Sequence, residues 1–190
     1  RLVLSKHEVR ERRRKHSWLG KRVGPCVLLE LLGQGAVGAV YRAYHSDYDV
    51  DVAVKVMDKR FLGSARVLDR MRREYEETSK ISHPNVVRVF PCIECEDGTF
   101  ATVSELVYGQ ELGDEIARKG KCAPAEAAAI LLAIAKAVRA GHQEGVLHRE
   151  ISPGAVLVGP KGEIKLMDFV PERPRENDEM HLTRCGAMMR

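Results

Sequence analysis

Residues 33–40 read GQGAVGAV, and the residues after the third glycine decide between two folds. A GxGxxG loop binds phosphates in two architectures, so the loop alone is weak evidence. In a dinucleotide-binding fold the third glycine begins a helix. Here Val40, Tyr41 and Tyr44 come next, and these residue types favour a strand. We therefore predict that the loop joins two antiparallel strands and covers phosphate groups, with an oxidoreductase kept only as an alternative.

The segments around this loop predict a sheet with one helix, followed by a long second helix. Valine alternates with other residues in VDVAVKVM, which is typical of a strand. Asp97 and Gly98 supply a hairpin turn between two later strands. The five predicted strands are 27–32, 39–44, 50–57, 86–92 and 100–107. The two predicted helices run from Ser64 to about Ser82 and over residues 123–145, the second with apolar residues on more than one face.

Length and composition indicate one globular domain, which can have two lobes. The chain has 190 residues, of which 44% are hydrophobic and 31% charged. The apolar run 127–135 is too short to span a bilayer, so we expect no membrane segment within this chain. Five cysteines, an odd number, favour a reducing compartment and a cytoplasmic location. The chain starts at Arg1 rather than Met, from which we expect a fragment of a longer protein.

The net charge of +4 is unevenly distributed along the chain. Residues 1–22 contain nine Lys and Arg against two Glu, so they carry about +7 and the remainder about −3. We interpret residues 1–23 as a basic extension, either a solvated linker or a short charged helix. Binding of this extension to acidic lipid or nucleic acid is an alternative. Because Trp18 is the one aromatic residue among the basic residues, we expect no nucleic-acid partner.

Four motifs in order resemble the eukaryotic-like protein kinases, most closely the bacterial Ser/Thr type, over residues 24–190. They are GQGAVGAV (33–40), VAVK (52–55), HREISPGAVLV (148–158) and MDFV (167–170). The resemblance implies an α+β fold whose N-lobe, residues 24–107, is an antiparallel sheet with one helix. It also implies a partial, mainly helical C-lobe, residues 108–190, with the catalytic loop and the start of an activation segment.

The resemblance further implies that the chain binds ATP and Mg²⁺. Lys55 would pair with the α/β-phosphates and with Glu74 on the first helix, and Asp168 would hold the Mg²⁺. Glu105 and Val107 would offer backbone groups to the adenine. The other expected nucleotide contacts are Leu32, Gly33, Gly35, Gly38, Val40, Ala53 and Leu157, with Ser104 at the gatekeeper position.

Four positions depart from the pattern that supports phosphoryl transfer. Glu150 replaces the catalytic aspartate and adds one methylene, about 1.5 Å of reach. Ser152 replaces a lysine near the γ-phosphate, and Ala155 replaces an asparagine that ligates the second metal. Val170 replaces the glycine of the DFG motif, and a β-branched residue resists the backbone angles that glycine allows.

These losses predict an ATP-binding, catalytically impaired kinase-like domain that acts as a regulator or scaffold. Two alternatives stay open. The first is an active Ser/Thr kinase that uses Glu150 as base, with Lys55 and Asp168 as the other catalytic residues. The second is a structural remnant that binds nothing. Thr183 is a candidate phosphate acceptor that could pair with Arg149, or an unmodified loop residue. The protein substrate or partner is unknown, and a segment beyond residue 190 could tether the protein to a membrane.

Overall fold

The computed structural model of the chain describes residues 18–35, 38–58 and 65–169 and the backbone of 188–189. Within these residues there are three α-helices: α1 (Ala65–Thr78), α2 (Leu112–Lys119) and α3 (Pro124–Gln143). A 3₁₀ turn occupies Pro153–Ala155. The strands are β1 (Arg22–Val23), β2 (Cys26–Gln34), β3 (Gly38–His45), β4 (Val50–Met57), β5 (Val89–Glu94), β6 (Phe100–Glu105), β7 (Val107–Tyr108), β8 (Gln110–Glu111), β9 (Val156–Val158), β10 (Ile164–Leu166) and β11 (Met188–Met189).

Six strands form an antiparallel sheet in the order β1-β2-β3-β4-β6-β5, and α1 packs against β5. The prediction of an antiparallel sheet with one helix is confirmed. β4 is central, and every residue from Val52 to Met57 is buried. Val54 belongs to the main core of the sheet, whereas Met57 packs with Met71 of α1, so β4 is covered on both faces.

The glycine-rich loop is a hairpin between β2 and β3, as its sequence predicts. Gly33 lies opposite Val40, and the Gly35 amide donates to the Gly38 carbonyl at 2.9 Å. A strand begins at Gly38, so the basis for the oxidoreductase alternative is gone. A Cβ at position 38 would lie 3.2 Å from the Met57 Cα, because β3 and β4 approach closely there. Residues 36 and 37 lie outside the described residues.

Two predicted boundaries were wrong by three residues or more. α1 ends at Thr78, not near Ser82, and the Thr78 hydroxyl donates back to the Glu74 carbonyl at 2.8 Å. Such a bond competes with continuation of a helix. β5 begins at Val89 rather than at residue 86, because the backbone around Val86 bonds elsewhere and pairs with Leu166 of β10. Ser64, the predicted start of this helix, lies outside the described residues.

A second core lies beneath the sheet, where α3 packs against β10. A three-stranded sheet in the order β10-β9-β8 borders this second core. Ile130, Ala137 and Phe169 are buried in the core. The predicted long helix is confirmed as α3. Its apolar residues lie on more than one face, and among the described residues Leu131 is 66% and Leu132 57% exposed, so one of these faces is not covered there.

The start of the described chain packs on the main sheet. β1 pairs with β2, Val23 is fully buried, and Trp18 packs against the main core. Ordered structure therefore begins before residue 24, although residues 1–17 lie outside the described residues. Among the helices that are described, none is long and apolar enough to cross a membrane.

Candidate functional site

A small cleft lies between the six-stranded sheet and the segment after β10. From above, β3 contributes Val40, and β4 contributes Ala53 and Lys55. From below, Asp168 and Phe169 line the same cleft. Five residues that the sequence nominates are therefore brought together here: Val40, Ala53, Lys55, Ser104 and Asp168.

Lys55 is placed by the register of the sheet. It lies opposite Val40 on β3 and opposite Thr102 on β6, and it is only 5% exposed. A buried ammonium group is costly unless an anion accompanies it, so this position favours negative charge in the cleft. Glu74 lies on α1 with its carboxylate 3.9 Å from the Arg70 guanidinium. The pairing of Glu74 with Lys55 stays a prediction.

Asp168, which lines the cleft, and Arg149, in the loop after His148, have left-handed backbone conformations. The φ angles are 65° at Arg149 and 64° at Asp168. Non-glycine residues adopt this conformation uncommonly, although aspartate tolerates it better than most. Such conformations are concentrated at functional sites, where the surrounding structure maintains them. Of the three non-glycine residues with positive φ in the described part of the chain, these two fall within the motifs that the sequence singled out, whereas Asp49 lies in the turn between β3 and β4.

His148 fixes the loop before Glu150 to the segment that carries Asp168. Its Nε2–H donates to the Met167 carbonyl at 2.7 Å, and its ring meets Phe169 edge-on with centroids 4.8 Å apart. Burial lowers the pKa of His148 below its usual value, and the bond to the Met167 carbonyl offsets only part of that effect. The ring is therefore neutral at physiological pH.

The loop residues that replace the expected catalytic groups differ in exposure. Glu150 is exposed, and its amide donates to the His148 carbonyl at 2.8 Å. Ala155 is 3% exposed, and its carbonyl accepts from the Met167 amide at 2.9 Å. The methyl group of Ala155 thus lies in the second core, close to the chain before Asp168, and offers no ligand atom.

The expected adenine contacts divide into two groups. Ser104 lies opposite Ala53, and Glu105 lies opposite Val52, at the end of β6. Val107 and Leu157 form a small buried cluster with Val87 and Met167, and the latter two also line the cleft. The nominated residues that lie outside the lining of the cleft are Leu32, Gly33, Gly35, Gly38, Glu74, Glu105, Val107, Glu150 and Leu157.

Sequence reasoning missed several residues that line the cleft. Tyr75 of α1 is 5% exposed and Thr102 of β6 is 3% exposed, and both line it. Thr102 could have been found, because it is two residues from Ser104 on a predicted strand and shares its face. Tyr75 carried no such signal. The others that were missed are Val87, Val89, Val103 and Met167.

Asp168 is the one carboxylate that lines the cleft among the described residues. The same part of the chain contains no group of three or more His, Cys, Asp or Glu side chains that could hold a metal ion. A metal held entirely by protein ligands therefore does not fit there. A cation that takes one carboxylate and completes its shell with phosphate oxygens and water does fit.

A glycine-rich hairpin over a cleft that holds a buried lysine and an aspartate defines a chain with the kinase fold. The chain belongs to the protein kinase family: the model for the protein kinase domain matches residues 26–187. PrkC, a serine/threonine-protein kinase of Bacillus subtilis, is 34% identical over 152 residues, which are 80% of this chain and 23% of PrkC. PknH of Mycobacterium tuberculosis is 35% identical over 153 residues, 80% of this chain and 24% of PknH.

A solved structure leads to the same family. The kinase domain of PknI from Mycobacterium tuberculosis matches with a TM-score of 0.70 and 28% identity, over 82% of this chain and 63% of that domain. The chain thus spans about a quarter of the two bacterial relatives and under two thirds of a solved kinase domain. The resemblance to bacterial Ser/Thr kinases and the predicted fold class are confirmed.

Proposed function

We propose that the chain is an ATP-binding kinase domain whose phosphoryl transfer is impaired, and that it acts as a regulator or scaffold. The observation that carries the nucleotide site is the meeting of buried Lys55 and Asp168 in one cleft beside the glycine-rich hairpin. Protein kinases generally use ATP with Mg²⁺. In this proposal residues 24–107, together with Trp18 and β1, which pack on the same sheet, form the N-lobe. Residues 108–190 form part of the C-lobe, the residues before Trp18 are a basic extension, and the protein is cytoplasmic.

Each nominated residue then has a physical task. Lys55 neutralises charge on the phosphates, and Gly33, Gly35 and Gly38 let the hairpin backbone approach them. The Asp168 carboxylate would hold the Mg²⁺, and the cation would neutralise negative charge on the phosphates. The remaining contacts enclose the adenine: Leu32, Val40, Ala53 and Leu157 through apolar surface, and Glu105 and Val107 through backbone groups.

Impairment of the transfer step is supported by the catalytic loop. The buried methyl group of Ala155 cannot ligate a second cation, and Ser152 supplies no positive charge. Removing one such stabilising group from a charge-stabilised site costs about 3 kcal/mol, or roughly a hundredfold in rate. Glu150 keeps a carboxylate but displaces it, and a misplacement near ~1 Å can cost about a hundredfold. The effects need not add, because such residues act as a unit.

The alternative is an active Ser/Thr kinase in which Glu150 accepts the proton of the substrate hydroxyl. Two observations favour it: Glu150 is exposed, and both PrkC and PknH are called serine/threonine-protein kinases. Such an enzyme would transfer the γ-phosphate of ATP to a Ser or Thr hydroxyl of a protein.

One experiment separates these candidates. The longest natural protein that contains this chain is assayed for Mg²⁺-dependent ATP binding by calorimetry and for ³²P transfer to itself and to general protein substrates. Variants Lys55→Met and Glu150→Gln are compared with Lys161→Met, which alters an exposed lysine in the turn between β9 and β10. Binding that is lost only in Lys55→Met, without transfer, supports the proposal. Brisk transfer that Glu150→Gln abolishes supports the active kinase.

A gain-of-function variant tests the proposed impairment of phosphoryl transfer by restoring activity instead of removing it. The triple substitution Glu150→Asp, Ser152→Lys and Ala155→Asn restores the family residue at three positions of the loop. We expect it to raise ³²P transfer at least about a hundredfold without changing ATP affinity by more than a few fold. A wild-type rate already equal to that of the triple variant would contradict the proposed impairment.

A further inference from the structure

We call residues 105–107, where the chain leaves β6, the hinge. Glu105 and Lys165 form an ion pair there, and neither side chain lines the cleft. The Lys165 ammonium is 2.9 Å from each carboxylate oxygen of Glu105. The two side chains are 20% and 34% exposed, so solvent screens the pair only in part. We call Glu105 and Lys165 the rear-hinge pair.

The carboxylate of Glu105 also holds the neighbouring backbone. The Arg88 amide donates to one of its oxygens at 3.2 Å, while the Glu105 amide donates to the Arg88 carbonyl at 2.8 Å. Glu105 is therefore fixed by its amide and by its side chain. It is the last residue of β6, and the chain leaves the six-stranded sheet immediately after it.

Lys165 connects this point to the strand that leads to Asp168. It lies on β10, three residues before Asp168, and β10 is anchored to the loop before β5. The Leu166 amide donates to the Asn85 carbonyl at 2.8 Å, and the Asn85 side-chain amide donates to the Ile164 carbonyl at 2.7 Å. The rear-hinge pair thus joins the end of β6 to a strand whose position is already fixed.

We propose that Lys165 is a positioning residue for adenine recognition, which acts through the carboxylate of Glu105; this rests on the proposed binding of ATP in the cleft. A nucleotide base that bonds to the backbone of residues 105–107 needs those amides and carbonyls held in one orientation. The rear-hinge pair supplies that constraint from the opposite side. Without it the binding-competent orientation is populated for a smaller fraction of time, and the apparent affinity falls by that fraction.

The test separates the adenine end of the site from its phosphate end. Calorimetry measures the affinity of the chain for ATP, adenosine and inorganic tripolyphosphate, in wild type, Lys165→Met, Lys165→Arg and the surface control Lys161→Met. Lys165→Met removes the charge and keeps the length of the side chain. We expect it to weaken ATP and adenosine by the same factor, about two- to fivefold, on the scale of a partly exposed ion pair.

Three results support the positioning role when they occur together. Tripolyphosphate affinity is unchanged in Lys165→Met, Lys165→Arg restores the affinity for adenosine, and Lys161→Met matches wild type. Equal losses for adenosine and tripolyphosphate would assign Lys165 a merely structural role and overturn the proposal. Unchanged adenosine affinity in Lys165→Met would overturn it as well.

Amide hydrogen exchange tests the constraint without any nucleotide, and so distinguishes the two proposals. Exchange at residues 104–107 is faster in Lys165→Met than in wild type or Lys161→Met if the pair holds the hinge. Unchanged exchange there refutes the positioning role. A wild-type chain that binds neither ATP nor adenosine refutes the proposed function, whatever the exchange rates show.

Discussion

Replacing Gly141 by alanine tests how tightly α3 is packed beneath the cleft. The glycine is buried in the helix, and a Cβ there would collide with the ring of Phe169 and lie 3.1 Å from the Val146 carbonyl oxygen. Phe169 is 1% exposed and comes directly after Asp168, so a displacement of the Phe169 backbone would also move that carboxylate. The prediction therefore links the stability of the chain to the geometry of its candidate site.

Two opposing effects set the magnitude. Alanine is better than glycine in a helix interior by about 1 kcal/mol. Overpacking a close-packed core costs about 1–3 kcal/mol. The collision involves a rigid ring and a backbone carbonyl rather than the end of a flexible side chain, so the upper part of that range applies. We expect Gly141→Ala to lower the free energy of unfolding by about 1–2 kcal/mol, which lowers the Tm by about 2–8 °C.

Gly113 is the matched control, because it is also helical but has room. A Cβ at Gly113 would lie 3.7 Å from its nearest neighbour, a side-chain carbon of Pro153, which is an ordinary contact. We expect Gly113→Ala to leave stability unchanged or to raise it by up to about 1 kcal/mol. Urea unfolding with equal m-values measures both variants, and calorimetry measures whether Gly141→Ala also weakens binding of Mg²⁺ and ATP. If Gly141→Ala stabilises the chain as much as Gly113→Ala does, the packing attributed to Phe169 is wrong.

Two buried titratable groups give further predictions. Burial lowers the pKa of His148, so the unfolded chain takes up a proton first, and stability falls as the pH drops through about 6.5. Urea midpoints at pH 7.5 and 5.5 measure the loss of stability on acidification. This loss should be smaller in His148→Gln than in wild type, and as large as in wild type in the exposed control His142→Gln. Equal losses in all three proteins would contradict the prediction. Burial, with a smaller contribution from a nearby carboxylate, raises the pKa of Cys26 to about 11. Iodoacetamide at pH 8 should therefore label Cys122 well before Cys26 in the folded chain, and label both in urea; early labelling of Cys26 would show that its strand opens.

The sheet could be predicted because its signals are local. The alternation of valine with other residues in β4 and the residue types after Gly38 predicted strands. Because only the glycine-rich loop separates β2 from β3, the two strands were then expected to form a hairpin. The end of α1 could not be predicted from the proline at position 84. It is set by the side-chain bond of Thr78 to its own helix and by the turn after it. The start of β5 depended on β10, about 80 residues later in the chain, which no local pattern reveals.

The candidate site shows the same division. Lys55 and Asp168 were found because their motifs are specific, and the register of β4 and β6 then brought Ser104 beside them. Tyr75 was missed because a tyrosine on an amphipathic helix is ordinarily a core residue. The contribution of Lys165 was missed because its partner is 60 residues away in sequence. Glu105 was nominated for its backbone, and the structure adds a separate part for its side chain.

The attachment of β10 to the loop before β5 limits how the two halves of the molecule can move. The Val87 amide donates to the Leu166 carbonyl at 2.9 Å, next to the bond between Leu166 and Asn85, so adjacent backbone bonds join the halves at one place. Any opening of the cleft must therefore swing about this place, with the hairpin at Gly35 travelling far and Val87 hardly at all. The distribution of distances between spin labels on the two halves should accordingly be broader when the labels lie farther from residues 85–87.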